Sequence, residues 1–100
     1  MKNTHIISTG LTHGISISQI ILEPNESTQR HYHQKTTEVY SISSGQGIIQ
    51  CADSKTFVEA NSVVIIEPNI VHQIINTGDE ELVVLSCKDK PRQFRDYFPM

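Results

Sequence analysis

No block of like charge, no disulfide framework and no long apolar run occurs in this 100-residue chain, and each absence removes a class of function. Eight basic against eleven acidic residues leave a formal charge of −3, with neither sign clustered. That excludes the electropositive footprint needed for nucleic acid or an anionic membrane. Cys51 and Cys87 are too few for a disulfide scaffold and are not spaced as Cys-x-x-Cys. They read as small apolar residues inside strands, with a single bridge between them left open. The longest aliphatic run, Val63 to Ile66, is far too short to span a bilayer. Met1 to Gly10 lacks the apolar core of a signal peptide. A soluble, cytoplasmic protein is expected. There is no internal repeat, low-complexity tract or linker, and residues 1–100 are expected to form one domain with a modest core.

Helical periodicity is also missing before residue 88, and period-2 patterns take its place. Ile15-Ser-Ile-Ser alternates and runs on to Leu22 before the turn Glu23-Pro-Asn-Glu26. Further strands are expected at Thr28 to His33, Thr37 to Ile42, Ile48 to Cys51 and Thr56 to Glu59. Ser62 to Glu67, Val71 to Asn76 and Leu82 to Ser86 complete the set. The turns between them are Ser43-Ser-Gly-Gln-Gly47, Ala52-Asp-Ser-Lys55, Pro68-Asn69 and Thr77-Gly-Asp-Glu80. About eight short strands with a turn every eight to twelve residues mark an all-β sandwich or barrel. At Asp89 to Phe98, Pro91 suits a first helical turn, and Phe94 lies three and four positions before Tyr97 and Phe98. A short helical turn or an extended tail, laying these aromatics on the barrel as a cap or a partner contact, is expected there.

The five histidines are unevenly placed. His31 and His33, at i and i+2 on a strand, point to one face with Cα atoms roughly 6.5–7 Å apart, so two imidazoles can converge on one ion. If the next strand pairs with theirs as an antiparallel hairpin, Glu38 comes beside them. His72 lies on a distant strand and shares a face with Ile74 and Asn76. Spacing alone leaves ordinary solvent-facing histidines open beside a metal site. His5 and His13 fall outside the pattern and are expected at the surface. If Glu38 points inward, so do Tyr40 and Ile42; Tyr40 is then a core aromatic or a donor to a bound ligand.

His31-Tyr-His33-Gln-Lys-Thr-Thr-Glu38, followed by Gly45, resembles the first cupin motif, His-x-His-x4-Glu-x6-Gly. Glu67-Pro-Asn-Ile-Val-His72-Gln-Ile-Ile-Asn76 is similar to the second. Arg30 to Glu38 and the Asn76-Thr-Gly-Asp-Glu80 turn look most like small single-domain cupins related to the cupin part of mannose-6-phosphate isomerases. The resemblance implies a double-stranded β-helix barrel, a homodimer, and a metal held by His31, His33, Glu38 and His72. Asn25, Asn61 and Asn69 stand where the family usually has glycine, and asparagine tolerates positive φ best among the other residues. Glu67 replaces the usual proline, with Pro68 one step later. Three neutral histidines and a carboxylate around a divalent ion give net charge +1 and leave two octahedral positions open. Fe, Mn, Co or Ni suits that set, and Zn is accommodated by a change in coordination. Gln29, Gln73 and Asn76 are near enough in sequence to fix the ring tautomers. Two functions remain open. One is a metalloenzyme acting on a small polar substrate by isomerase or dioxygenase chemistry; the other is a non-catalytic metal or small-ligand-binding module.

Overall fold

The computed structural model describes residues 1–6, 14–91 and 94–100. Among the described residues ten strands follow in order: β1 Lys2–Ile6, β2 Ser16–Leu22, β3 His31–Tyr32, β4 Glu38–Ser44, β5 Gln46–Cys51, β6 Ser54–Glu59, β7 Val63–Ile66, β8 His72–Asn76, β9 Leu82–Lys88 and β10 Phe98–Pro99. They form two antiparallel five-stranded sheets, ordered β1-β2-β9-β4-β7 and β10-β3-β8-β5-β6. Alternation makes the barrel, because every second residue of the long strands faces the other sheet. On β2 these are Ser18, Ile20 and Leu22; on β4, Glu38, Tyr40 and Ile42; on β9, Leu82, Val84 and Ser86. The second sheet contributes His31, Ile49, Val58, His72, Ile74 and Asn76.

Register stacks these positions in layers of changing polarity. Leu22 lies opposite Leu82 and Ile20 opposite Val84, which lies opposite Ile42 on its other side. One level on, Ser18 lies opposite Ser86, and Ser86 opposite Tyr40; at the end of the same face Lys88 lies between Ser16 and Glu38. In the facing sheet Ile74 pairs with Ile49, and His72 with Cys51 and His31. One end of the interior is therefore sealed by aliphatic side chains, and the other is polar and carries the histidines. Asn76 is buried in the aliphatic part without cost: its amide donates to the Leu22 and Glu80 carbonyls at 2.9 and 2.8 Å, and its oxygen accepts from Gly78 N–H.

The turns obey the backbone chemistry expected of them. Asn25, Asn61 and Asn69 all have positive φ, at 69°, 74° and 70°, so asparagine does keep the left-handed geometry at the three positions where the family has glycine. Ala52, with φ 50°, is a further left-handed residue that composition does not announce. Cys51 and Cys87 are free thiols.

Two expectations change, and one open alternative is decided. The strand expected at Thr28 to His33 is regular only at His31–Tyr32, with an isolated bridge between Ser27 and Ile75. Side chains take over its ladder: Gln73 Nε2 donates to the Thr28 carbonyl, and Thr28 Oγ1 accepts Ile74 N–H. Secondly, β3 and β4 do not form a hairpin. They belong to opposite sheets, so Glu38 meets the histidines across the interior. Finally, of the two alternatives for the carboxy-terminal segment, the described residues 94–100 take the extended tail. The Pro91 carbonyl accepts Phe94 N–H, and β10 adds to the edge of β3. Tyr32 and Phe98 stack across that pair at 5.1 Å. His13 and the side chain of His5 lie outside the described residues.

Gly47 marks the tightest approach between β5 and its surroundings. A Cβ there would press on the Ile75 carbonyl oxygen and lie 2.8 Å from Leu82 Cδ2. Gly47→Ala is expected to lower unfolding free energy by about 1–3 kcal/mol, as overpacking of a filled core does. Urea unfolding of the two proteins checks this.

Candidate metal centre

The side chains of His31, His33, Glu38 and His72 are all buried at the polar end of the barrel. One ligand atom from each lies within 4.8 Å of the others. β3 supplies His31, the residues just after it His33, β8 His72 and β4 Glu38.

Each imidazole is held from behind by a backbone carbonyl. His31 Nδ1–H donates to Gln29 O at 2.7 Å and His72 Nδ1–H to Ile70 O at 2.8 Å, each to the residue two positions upstream. His33 Nδ1–H donates to the carbonyl of Asp96, 63 residues away. A carbonyl can only accept, so all three rings carry their proton on Nδ1 and turn Nε2 inward. Nε2 of His33 and of His72 lie 3.1 and 3.2 Å from the same carboxylate oxygen, Oε1 of Glu38. Nitrogen lone pairs and a carboxylate oxygen repel at that distance unless a cation lies between them. Either protons on Nε2 or a metal ion satisfies the arrangement, and the donor set of three imidazoles and one carboxylate fits a divalent transition metal.

Both oxygens of Glu38 also accept a hydroxyl. Tyr40 Oη donates to Oε1 at 3.1 Å and Ser86 Oγ donates to Oε2. Burial alone would raise the carboxyl, but the hydrogen bonds from His33 and His72, the Lys88 charge and the Ser86 hydroxyl together hold it far below the usual carboxylate range. Burial lowers His31 to about 4, against the opposing pull of the Gln29 carbonyl, so its ring is neutral at pH 7. At His33 burial again acts downward, yet Glu38 and the Asp96 carbonyl outweigh it and raise the ring above the ordinary histidine value.

Tyr40 is only 1% exposed and borders a cavity of about 210 Å³ together with His31, Glu38, Ser86, Lys88 and Tyr97. A larger cavity of about 640 Å³ reaches the site from the side of His33 and shares Ser18, Ser86, Lys88 and Tyr97 with the smaller one. Of the residues expected to fix the rings, Gln29 does so through its backbone. Gln73 instead ties down Ser27 and Thr28, and Asn76 serves the turn after β8.

The sequence does not mark Asp96, and it marks Tyr97 only as one of the tail aromatics laid on the barrel, not as part of the site. Besides orienting His33 through its carbonyl, Asp96 turns its carboxylate on the segment after β3. It accepts Gln34 N–H at 2.8 Å, Lys35 N–H at 2.7 Å and the Thr36 hydroxyl at 2.9 Å. Tyr97 stacks on His31 with centroids 4.6 Å apart and donates its hydroxyl to Gln29 Oε1. No local pattern marks either role, because the partners lie sixty or more positions away.

A two-sheet antiparallel barrel with an internal three-histidine, one-glutamate cluster at its polar end defines a small β-barrel able to hold a metal ion. The cupin domain family model matches residues 18–87, and the chain belongs to that family. It is 28% identical over 81 residues to the uncharacterized protein MJ1618 of Methanocaldococcus jannaschii, covering 81% of this chain and 65% of that protein. Among solved structures it is similar to a Cupin 2 conserved barrel domain protein from Salinispora arenicola. That match has a TM-score of 0.78 at 18% identity over 87% of this chain and 73% of the other. The capsular polysaccharide assembling protein CapF from Staphylococcus aureus matches 97% of this chain, with a TM-score of 0.82 at 26% identity, although only 29% of CapF is covered. A predicted oxalate decarboxylase from Thermotoga maritima has a TM-score of 0.82 at 24% identity, over 89% of this chain and 79% of that one. The chain thus spans under two thirds of MJ1618 and under a third of CapF.

The Asp96 clamp has a definite pH signature. Burial would raise its carboxyl, but the two amides and the Thr36 hydroxyl outweigh that and keep it below the usual range. Its contribution is therefore complete above the unfolded aspartate value of about 4 and fades as pH falls through the lower folded value. Asp96→Ala is expected to cost about 2 kcal/mol at pH 7, with the gap from the parent protein narrowing below about pH 4. Thermal unfolding over that pH range measures it.

Proposed function

We propose that this protein is a metal-dependent cupin enzyme acting on a small polar substrate. The carrying observation is the inward convergence of three Nε2 atoms, each fixed by a carbonyl behind its ring, beside cavities large enough for a small molecule. In this reading residues 1–100 are one domain, His31, His33, Glu38 and His72 hold the ion, and Fe, Mn, Co, Ni or Zn is the metal. Such an ion polarises a substrate oxygen or, if redox-active, activates dioxygen. Isomerisation and dioxygen chemistry are the two reactions proposed for such a site.

The chain's own residues perform the rest. The Gln29, Asp96 and Ile70 carbonyls keep the three rings in one tautomer, so no reorganisation is needed when a ligand arrives. The Ser86 hydroxyl holds the outer oxygen of Glu38 and leaves the inner one to face the histidines. Tyr40, bordering the smaller cavity, is the proposed hydrogen-bond donor to bound substrate, its hydroxyl turning to the ligand from the Oε1 of Glu38 to which it donates. Tyr97 covers His31 and limits access of water from that side.

The same proposal places the protein in the cytoplasm as a homodimer. Among the described residues no helix is long and apolar enough to cross a membrane. β7 ends one sheet and exposes Val63 and Ile65 at 62% and 64%, an apolar edge of the kind that association covers. A monomer at high concentration by light scattering would overturn the dimer.

His31→Ala and His72→Ala, each confirmed folded by circular dichroism, test the function. Protein purified without added metal is expected to carry about one equivalent of a transition metal by elemental analysis. Each variant is expected to lose at least about tenfold in metal affinity together with turnover of small polar substrates. Tight ligand binding without turnover in any metal-loaded form would make the protein a non-catalytic binding module instead. Failure to bind any of the five metals would sink the metal reading itself.

A further inference from the structure

Two of the three histidine rings are held locally, and the third is held by the carboxy-terminal tail. The carbonyls behind His31 and His72 lie two residues upstream, so those rings keep their orientation whatever the tail does. His33 Nδ1–H depends instead on the carbonyl of Asp96. The tail itself is thinly attached. β10 pairs with β3 through two residues, Phe98 opposite Tyr32 and Pro99 opposite His31, and proline offers no N–H. Tyr97 and Met100 are 50% and 67% exposed. Of residues 94–100 only Asp96 is buried, and its carboxylate takes the Gln34 and Lys35 amides and the Thr36 hydroxyl. A segment with one buried fastening and few ladder bonds opens at far lower cost than the barrel unfolds. Its opening also unroofs the site, since Phe94, Asp96, Tyr97 and Phe98 wall the larger cavity and Tyr97 the smaller.

Docking of the tail decides where a neutral His33 carries its proton. With the Asp96 carbonyl behind the ring the proton stays on Nδ1, and the Nε2 lone pair faces Oε1 of Glu38 at 3.1 Å. Those two atoms repel until a cation lies between them. With the proton on Nε2 the ring donates to Glu38 and offers no lone pair to an ion. Its Nδ1 lone pair then faces the Asp96 carbonyl and repels the tail. Each of these arrangements is self-consistent, while a mixture of the two sets lone pair against lone pair.

We infer that residues 94–100 form a strap, fastened by Asp96, whose docking and the occupation of the metal site favour each other through the tautomer of His33. This rests on the metal-centre reading and adds to it a two-state element that the tail and the ion both bias. Linkage makes the effect reciprocal: the factor by which strap closure raises metal affinity is the factor by which the metal favours closure. Asp96 is a positioning residue in this scheme, since it acts through His33 and the backbone after β3.

The test follows hydrogen exchange of the full chain by mass spectrometry, with and without Co(II). Peptides covering residues 30–36 and 94–100 are compared with the Thr77–Glu80 turn at the aliphatic end. Cobalt is expected to slow exchange at least about tenfold in both peptides and to leave the turn unchanged. Two variants loosen the strap from outside the ligand set. Phe98→Ala removes the stack on Tyr32, and Asp96→Ala removes the fastening. Each should speed exchange of the tail and weaken Co(II) together, Asp96→Ala by at least about tenfold. Bound cobalt that leaves tail exchange unchanged overturns the inference, as does a variant with a fast-exchanging tail and the parent's cobalt affinity. Nitrogen NMR of the imidazoles in metal-free protein gives a readout independent of the ion. It is recorded at mildly alkaline pH, to remove the doubly protonated ring that would satisfy both partners. In either variant the His33 proton should shift from Nδ1 toward Nε2 while His72 keeps its own on Nδ1. A His33 that does not shift overturns the strap whether or not cobalt binds. A His33 that shifts in a protein that takes up no cobalt upholds the link between tail and tautomer and refutes the metal centre alone.

Discussion

A carboxylate buried to 2% exposure dictates much of what surrounds it. Glu38 sits between two sheets, where an uncompensated negative charge would cost several kcal/mol. The protein meets that cost from every side: His33 and His72 face Oε1, Tyr40 and Ser86 donate hydroxyl hydrogen bonds, and Lys88 contributes charge from the neighbouring strand. No buried side-chain polar atom of the described residues lacks a partner. The polar end of the barrel is thus a satisfied network, and such networks specify one arrangement more sharply than apolar packing does.

The network is compatible with the core because the barrel separates the two along its length. Leu22, Ile42, Leu82 and Ile74 close one end, where Ile49 and Val84 complete the packing. The polar layer begins only at Ser18, Tyr40 and Ser86. The backbone does much of the orienting. Two of the three histidines fold back on the carbonyl two residues upstream, a local device that any strand could provide. The third requires the carboxy-terminal tail, whose pairing with β3 brings Asp96 behind His33. Integrity of the tail and orientation of the site are consequently one structural problem.

Most of the strands were legible because alternation of apolar and polar residues is a local property, and a one-residue slip would bury the wrong face. The asparagine turns were legible for a similar reason, since the requirement for positive φ lies in the residue itself. The short β3 was overestimated because Gln73 and Thr28 side chains replace ladder bonds that the pattern implies. The supposed hairpin between β3 and β4 failed because sequence neighbours in a two-sheet barrel can cross from one sheet to the other. Glu38 still arrives beside the histidines, by way of the interior.

What the sequence by itself determined is the set of chemical possibilities: an all-β chain, three histidines and a glutamate spaced as in the two cupin motifs, and asparagines able to turn where glycine is usual. Each depends on residue type and short spacing, which fold-independent physics can read. The tertiary structure decided which nitrogen of each ring faces inward, that Asp96 and Tyr97 brace His33 and His31, and that Lys88 lies opposite Glu38 across β9 and β4. Those features depend on contacts between residues tens of positions apart. Only closure of the two sheets, driven by burial of the aliphatic end, brings them within reach of one another.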